Sequence, residues 1–249
     1  MKRYIRASIK NVSEEDKEYQ AYLASSPETD PRILEQLFEL NDKTINVSLA
    51  RNRNIPADLS VKLARWDGPG FLDVLMQLIR NPAVSTEALD ILIAEPNIKP
   101  AAMYYAACNP NLSVSAQHEL AGSSDPDTRY GLVENKNLDV SVMYELSDDS
   151  NDDVKGELAS RDDVPEDILR KLSEDDGEFV RIAVAYNART PVDILVKLAD
   201  DPSKLVQYYL ARNDNTPVDI LMQFCNSDRS ATREHARATL ERKTGVHFV

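Results

Sequence analysis

Cysteine is scarce in this sequence. Its 249 residues include two, Cys108 and Cys225, too few for a disulfide framework or a four-thiolate metal site. Glycine is also sparse, with seven residues, and the chain has neither a Gly-rich phosphate loop nor a Gly-x-Ser-x-Gly nucleophile elbow. The three histidines, His118, His235 and His247, stand far apart without metal-ligand spacing. These shortages leave no candidate catalytic, cofactor or metal site, so a non-enzyme without a cofactor is expected. No apolar run approaches the roughly 18 residues of a membrane span. The opening segment is basic but lacks the apolar core of a secretory signal. A cytoplasmic protein with no membrane contact is expected. Cations are outnumbered, 29 Lys and Arg against 42 Asp and Glu, for a net charge of −13. Residues 1–10 hold four basic and no acidic residues, and 229–249 hold five basic and two acidic. The acid therefore lies in the middle, where it repels nucleic acid and suits a basic partner. Basic ends flanking an acidic middle also predict weak, salt-sensitive self-association.

What the sequence has is a repeat. The stretch from Val180 to Ala199, VRIAVAYNARTPVDILVKLA, nearly recurs one period later from Val206 to Cys225, and again one period earlier from Val154 to Ser173. One polar residue marks each copy: Ser26, Asn52, Asn81, Asn109, Asn135, Arg161, Asn187 and Asn213, with spacings of 26, 29, 28, 26, 26, 26 and 26. A fixed period in this range signals stacked supersecondary units. Three positions before the marker the residues are Leu23, Leu49, Leu78, Ala106, Leu132, Leu158, Val184 and Leu210, and two before it they are mostly Ala. With an apolar column seven before the marker, this makes one face of a helix, helix A. Seven and eleven positions after the marker, apolar pairs such as Ile194/Leu198 and Ile220/Phe224 recur in every copy, forming a second, shorter helix B.

The chemistry of the turns follows. Thr190-Pro191-Val192-Asp193 and Thr216-Pro217-Val218-Asp219 place Thr190 and Thr216 as N-caps of helix B, with Pro at its first position. The markers Asn52, Asn81, Asn109, Asn135, Asn187 and Asn213 fall where helix A ends, and a stacked Asn ladder satisfying the turn is expected. Arg161 interrupts it. The second repeat is lengthened by Asp67-Gly68-Pro69-Gly70 between Trp66 and Phe71, which reads either as a packed turn or as a binding protrusion. Residues 1–18 form a lead-in, 19–228 the repeats, and 229–249 a capping helix with a tail, all in one solenoid domain.

The unit V-x-x-x-L-A-x-N-x-x-T-P-x-x-I-L-x-x-L-A resembles the bacterial leucine-rich repeat variant family over about residues 19–228, most clearly in 154–225. That resemblance implies an all-α fold, a right-handed α-solenoid of about eight two-helix repeats with helical caps, in which α- and 3₁₀-helices alternate. The repeat here is slightly longer than the family's usual unit. The N-terminal cysteine cluster that some members use for an iron–sulfur centre is missing from residues 1–40. The family carries no single activity, and its members are mostly read as interaction scaffolds.

Function is therefore sought where the copies differ. The loops between helix B and the next helix A are acidic, as in Asp148–Asp153 and Glu174–Glu178, and read either as helix caps or as a docking strip for a Lys/Arg-rich partner. A calcium loop at Asp149-x-Asn151-x-Asp153 lacks Gly at its sixth position and Glu at its twelfth. Helix A carries Tyr104, Tyr105, Tyr130, Tyr186, Tyr208 and Tyr209 beside Arg129 and Arg181. With Trp66 and Phe71 these are the candidate partner-binding residues, since aromatic and Arg side chains anchor protein interfaces. A scaffold binding a protein or peptide, basic in character, is the leading expectation. The alternative is a nucleic-acid-related binder, or an acidic mimic of DNA acting on a DNA-binding protein.

Overall fold

A computed structural model describes residues 14–245 apart from 96, 97 and 99. The basic segment 1–10, half of the Glu95–Pro100 loop, and His247 lie outside them. Among the described residues there are seventeen α-helices and no strand. The chain divides into two compact units, Met1–Asn137 and Leu138–Val249. The first holds α1 (Glu14–Ser25), α2 (Pro31–Phe38), α3 (Lys43–Ala50), α4 (Ala57–Ala64), α5 (Phe71–Ile79), α6 (Thr86–Ile93), α7 (Pro100–Ala107), α8 (Val114–Ala121) and α9 (Pro126–Glu134). The second holds α10 (Val140–Leu146), α11 (Asp152–Ser160), α12 (Glu166–Leu172), α13 (Glu178–Tyr186), α14 (Val192–Leu198), α15 (Lys204–Leu210), α16 (Val218–Phe224) and α17 (Ser230–Thr244). Odd numbers up to α15 are A helices and even numbers B helices. The B helices are α-helical, not 3₁₀ as the family resemblance implied; at seven or eight residues two turns already bury their apolar pairs.

Within each unit, successive A helices stack on one another and B helices fill the gaps. The stack is close because its contact positions are small. Ala24, Ala50, Ala107, Ala159, Ala185 and Ala211 are fully buried. At Gly131 an added Cβ would stand 2.7 Å from the Tyr104 carbonyl on α7, so α9 can approach there only without a side chain. The columns after the marker close the interior: Leu59, Leu63, Ile168, Leu172, Ile194 and Leu198 are buried. Each such side chain contributes roughly 1.5–3 kcal/mol by leaving water.

The turns are held by asparagine. A helix leaves its last carbonyls without intrahelical donors, and here the following repeat supplies them. Asn109 Nδ2 donates to Ile79 O (2.8 Å) and Asn81 O (3.1 Å), and its Oδ1 accepts from Asn111 N (3.0 Å). Asn52, Asn81 and Asn135 repeat the pattern in the first unit. Asn187 and Asn213 repeat it in the second. At the interruption, Arg161 forks onto Asp163 of its own turn and its carbonyl still accepts from Asn187. Thr239, one period beyond Asn213, closes the series with a single bond from its hydroxyl to Ala211 O (2.8 Å).

One expectation is corrected here, and one left open is decided. Thr190 and Thr216 are not N-caps: Pro191 and Pro217 occupy those positions without a side-chain cap. The threonine hydroxyls point backwards instead and donate to Val184 O (2.6 Å) and Leu210 O (2.7 Å) in the preceding A helix. The proline ring fixes φ of the N-cap residue that leads into helix B, and the threonine hydroxyl before it is left to bond a carbonyl near the end of helix A. Trp66 is not a protrusion. It is 8% exposed, donates from Nε1 to Asn41 Oδ1 (2.6 Å), and its ring covers Gly68, where an added Cβ would sit 2.2 Å from it. Phe71, at the start of α5, is half-buried. The extra residues of the second repeat thus make a packed turn.

Candidate partner-binding face

The A helices bury the positions seven, three and two before the marker. The positions eight, five, four and one before it turn outward, at the i, i+3, i+4, i+7 spacing of a helix face. On α13 these are Phe179, Ile182 and Tyr186, with Ala183 buried beneath them, and on α15 Leu205, Tyr208, Tyr209 and, just beyond its end, Arg212. Phe179 is 50% and Tyr186 55% exposed. Phe179 rests on α11 at Gly156, where the ring takes the space of a Cβ.

In the second unit these side chains form one cluster. Tyr186 meets Tyr209 edge-on at 5.7 Å between centroids, and Tyr209 meets Tyr208 at 5.1 Å. Tyr208 meets His235 at 5.1 Å, with its hydroxyl 3.2 Å from His235 Nε2. The Arg212 guanidinium stands 5.8, 5.6 and 5.7 Å from the rings of Tyr186, Tyr208 and Tyr209, within range of cation–π attraction to all three. Ser160, Phe179, Ile182, Ala183, Tyr186, Tyr209 and Arg212 line an open trough of about 360 Å³.

The first unit has a separate aromatic groove. Tyr104 and Tyr105 meet edge-on at 5.2 Å, and Arg80 stacks on Tyr105 at 3.8 Å. With Tyr130, Asp125 and Asp127 they line about 330 Å³. Here the polar groups are already committed. The Tyr104 hydroxyl donates to Glu134, which pushes it well above the ordinary phenol range. Cys108 Sγ lies 3.5 Å from the same carboxylate, and burial, then that charge, push its thiol up to about 12.

Arg129 and Arg181 belong to a different structure. They occupy the position six before the marker, and each bonds the loop that leads into its own helix. Arg129 Nη1 donates to Ser123 O, Arg181 Nη1 to Asp175 O, and Arg233 Nη1 to Ser227 O, all at 2.7 Å. Gln207 Nε2 makes the equivalent bond to Asp201 O (3.1 Å). Arg181 Nε also pairs with the buried Asp201 at 2.7 Å. These side chains are latches of the turn rather than open binding groups. The acidic loops are likewise used locally: Asp149, Asp175 and Asp201 each accept the backbone N–H two residues on, while Asp125 and Asn151 cap α9 and α11. Among the described residues, no three metal-ligating side chains gather, and no helix is long and apolar enough to cross a membrane.

The sequence thus located the tyrosines but not the wall they share with Phe179 and Ile182. That wall was legible as the helix-face spacing from Phe179 to Tyr186. The latch column was legible too, as a long donor recurring once per repeat after an acidic loop.

Comparison with known proteins agrees with this architecture. The profile of the leucine rich repeat variant family matches residues 178–203, one full repeat centred on α13 and α14. A solved structure described as a leucine-rich repeat variant with a novel repetitive protein structural motif aligns over 94% of this chain and 89% of its own, with a TM-score of 0.59 and 18% identity. At that identity the likeness is one of fold. A solved engineered protein aligns over 98% of both chains at 14% identity but a TM-score of 0.25, too low to indicate a shared fold. No curated protein matches the sequence. The chain is an all-helical repeat solenoid that shares its fold with a leucine-rich repeat variant structure and carries, at 178–203, a repeat that the family profile matches.

Proposed function

We propose that this chain is a non-enzymatic scaffold that binds a peptide segment of another protein in the trough of its second unit. The observation that carries the reading is the outward cluster of Phe179, Tyr186, Tyr209 and Arg212. Aromatic and Arg side chains held rigidly by one another lose little freedom on binding and bury large areas, which makes them interface anchors. Nothing in the repeat requires them there, since the fold is held by the Asn ladder, the latches and the buried columns. The groove around Tyr104, with its hydroxyl and thiol bound to Glu134, has fewer open groups to offer.

The test is selection of a randomised twelve-residue peptide library, displayed on phage, against the full chain. Selected peptides should bind the Tyr186→Ala/Tyr209→Ala variant at least about 30-fold more weakly, the loss of one hot spot of about 2 kcal/mol. Peptides that bind both proteins equally would place the binding face elsewhere.

A further inference from the structure

The trough also indicates the chemistry of its occupant, given that it is a peptide site as proposed above. Arg212 is the group to explain. The chain has 42 acidic residues, and many of its arginines are paired with them: Arg65 with Glu87, Arg161 with Asp163, Arg170 with Asp193, Arg181 with Asp201 and Arg242 with Asp214. Arg212 makes no ion pair among the described residues. Its contacts are three tyrosine rings at nearly equal distance and one long approach to the Tyr208 hydroxyl, 3.5 Å. Arg80, by contrast, stands directly over Tyr105 at 3.8 Å. At 5.6–5.8 Å the Arg212 guanidinium stands at the rim of the cluster, exposed and lining the trough. The hydroxyls of Tyr186 and Tyr209 beside it have no hydrogen-bond partner among the described residues. Asp162 and Asp214 line a neighbouring depression on the turn side that Arg212 and Tyr186 also border; neither carboxylate pairs with Arg212, and Asp214 is taken by Arg242.

A planar cation with two hydroxyl donors, set against an apolar wall of Phe179 and Ile182, is complementary to a carboxylate next to a large apolar side chain. Phe179 and Tyr186 are both about half exposed, so the trough lies open across the helices with no closed end to select a chain terminus. We infer that the occupant is an internal acidic residue of a peptide, with its carboxylate on Arg212 and a neighbouring aromatic or aliphatic side chain on Phe179. The surrounding acid of the chain then discriminates: it disfavours strongly acidic segments, and a single carboxylate beside an apolar residue fits best.

The experiment uses the peptides selected above, resynthesised with a fluorescein label and an amidated C-terminus and titrated by fluorescence anisotropy. Enriched sequences should share Asp or Glu beside a large apolar residue. Changing that acid to its amide, or Arg212→Gln in the protein, should each weaken binding by about tenfold, with little further loss when combined. Arg212→Glu should shift selection to peptides with Lys or Arg at that place. Circular dichroism checks that the variants, altered at an exposed position, remain folded. Peptides that need the tyrosines but not the acid, basic peptides, or binding seen only with a free C-terminal carboxylate would overturn this inference and leave the peptide-binding reading standing. Failure to select any tyrosine-dependent peptide would overturn both.

Discussion

Replacing Asn187 by Ala tests whether the asparagine ladder holds the repeats together. Asn187 is buried, and its Nδ2 donates to Ala159 O (2.6 Å) and Arg161 O (2.9 Å) while its Oδ1 accepts from Arg189 N (2.7 Å). Ala removes both donors and the acceptor. Arg189 is exposed, so its N–H finds water at little cost. The Ala159 carbonyl is enclosed and the Arg161 carbonyl partly so. At about 1–3 kcal/mol for each buried group left unpaired, we expect a loss of about 3 kcal/mol. With urea m-values of about 1–3 kcal/mol/M, the unfolding midpoint followed by circular dichroism falls by about 1 M or more. Asn187→Asp sharpens the test. It keeps the acceptor but turns a carboxylate oxygen toward two carbonyl oxygens, so at neutral pH it should be worse than Ala. Its folded pKa is then raised above the unfolded value. The folded state binds the extra proton, the penalty is smallest below the unfolded pKa, and it grows as pH rises toward the folded pKa. Asn215→Ala, which removes one exposed bond to Ala188 O, is the control and should cost under about 1 kcal/mol. If Asn187→Ala melts within about 0.5 kcal/mol of the parent, or the Asp variant is no worse than Ala at pH 7, the ladder is ornamental and the argument fails.

Further outcomes follow from other positions. Asn46 is fully buried in α3 with neither amide atom bonded; Asn46→Leu, the type found at Leu75 one repeat on, should raise stability by about 1–2 kcal/mol, and a lower melting temperature would count against an unsatisfied amide. Gly68→Ala drives a methyl into the Trp66 ring and should cost about 1–3 kcal/mol while red-shifting the single-tryptophan emission; an unchanged spectrum would mean that the ring does not rest there. Cys108, pushed up to about 12, and Cys225, raised by burial, should react slowly with a disulfide reagent at pH 8 in the folded protein and quickly in denaturant; fast native reaction of Cys108 would contradict its contact with Glu134. The hydrogen bond from Arg161 holds the Asp163 carboxyl below the ordinary carboxylate range, so its contribution is present above the unfolded pKa and is lost as pH falls through the folded one; Arg161→Met should flatten that part of the acid-unfolding curve.

The period and the apolar columns were legible because every repeat must bury the same faces against its neighbours, and a requirement met eight times leaves a pattern in one sequence. The same repetition made the asparagines readable, since an orphan carbonyl recurs wherever helix A ends. Thr190 was misread because Thr-Pro has two uses. A threonine before proline can cap the next helix or turn back to the last, and only the position of the Val184 carbonyl decides. Arg181 was misread for a related reason: its column looked like a charged face, yet the loop that receives it lies six residues earlier, a distance closed only by the fold. Trp66 was left open because a single insertion has no second copy to compare.

The residues proposed to bind share a physical trait that separates them from these. At each marker the choice is narrow: Asn appears six times, and of the exceptions Arg161 and Thr239 still bond the turn. One position earlier the chain has Arg51, Arg80, Cys108, Glu134, Ser160, Tyr186 and Arg212, a set with no common size, charge or polarity. Adjacent columns on one helix thus obey opposite rules. The inner one is set by carbonyls that the next repeat must satisfy. The outer one meets solvent and is unconstrained by the stack, so an aromatic cluster there around an unpaired guanidinium costs exposed apolar area that packing alone does not repay. A partner covering the cluster would offset that cost, which is the physical ground for proposing the outer edge of α13 and α15 as the binding surface of the second unit.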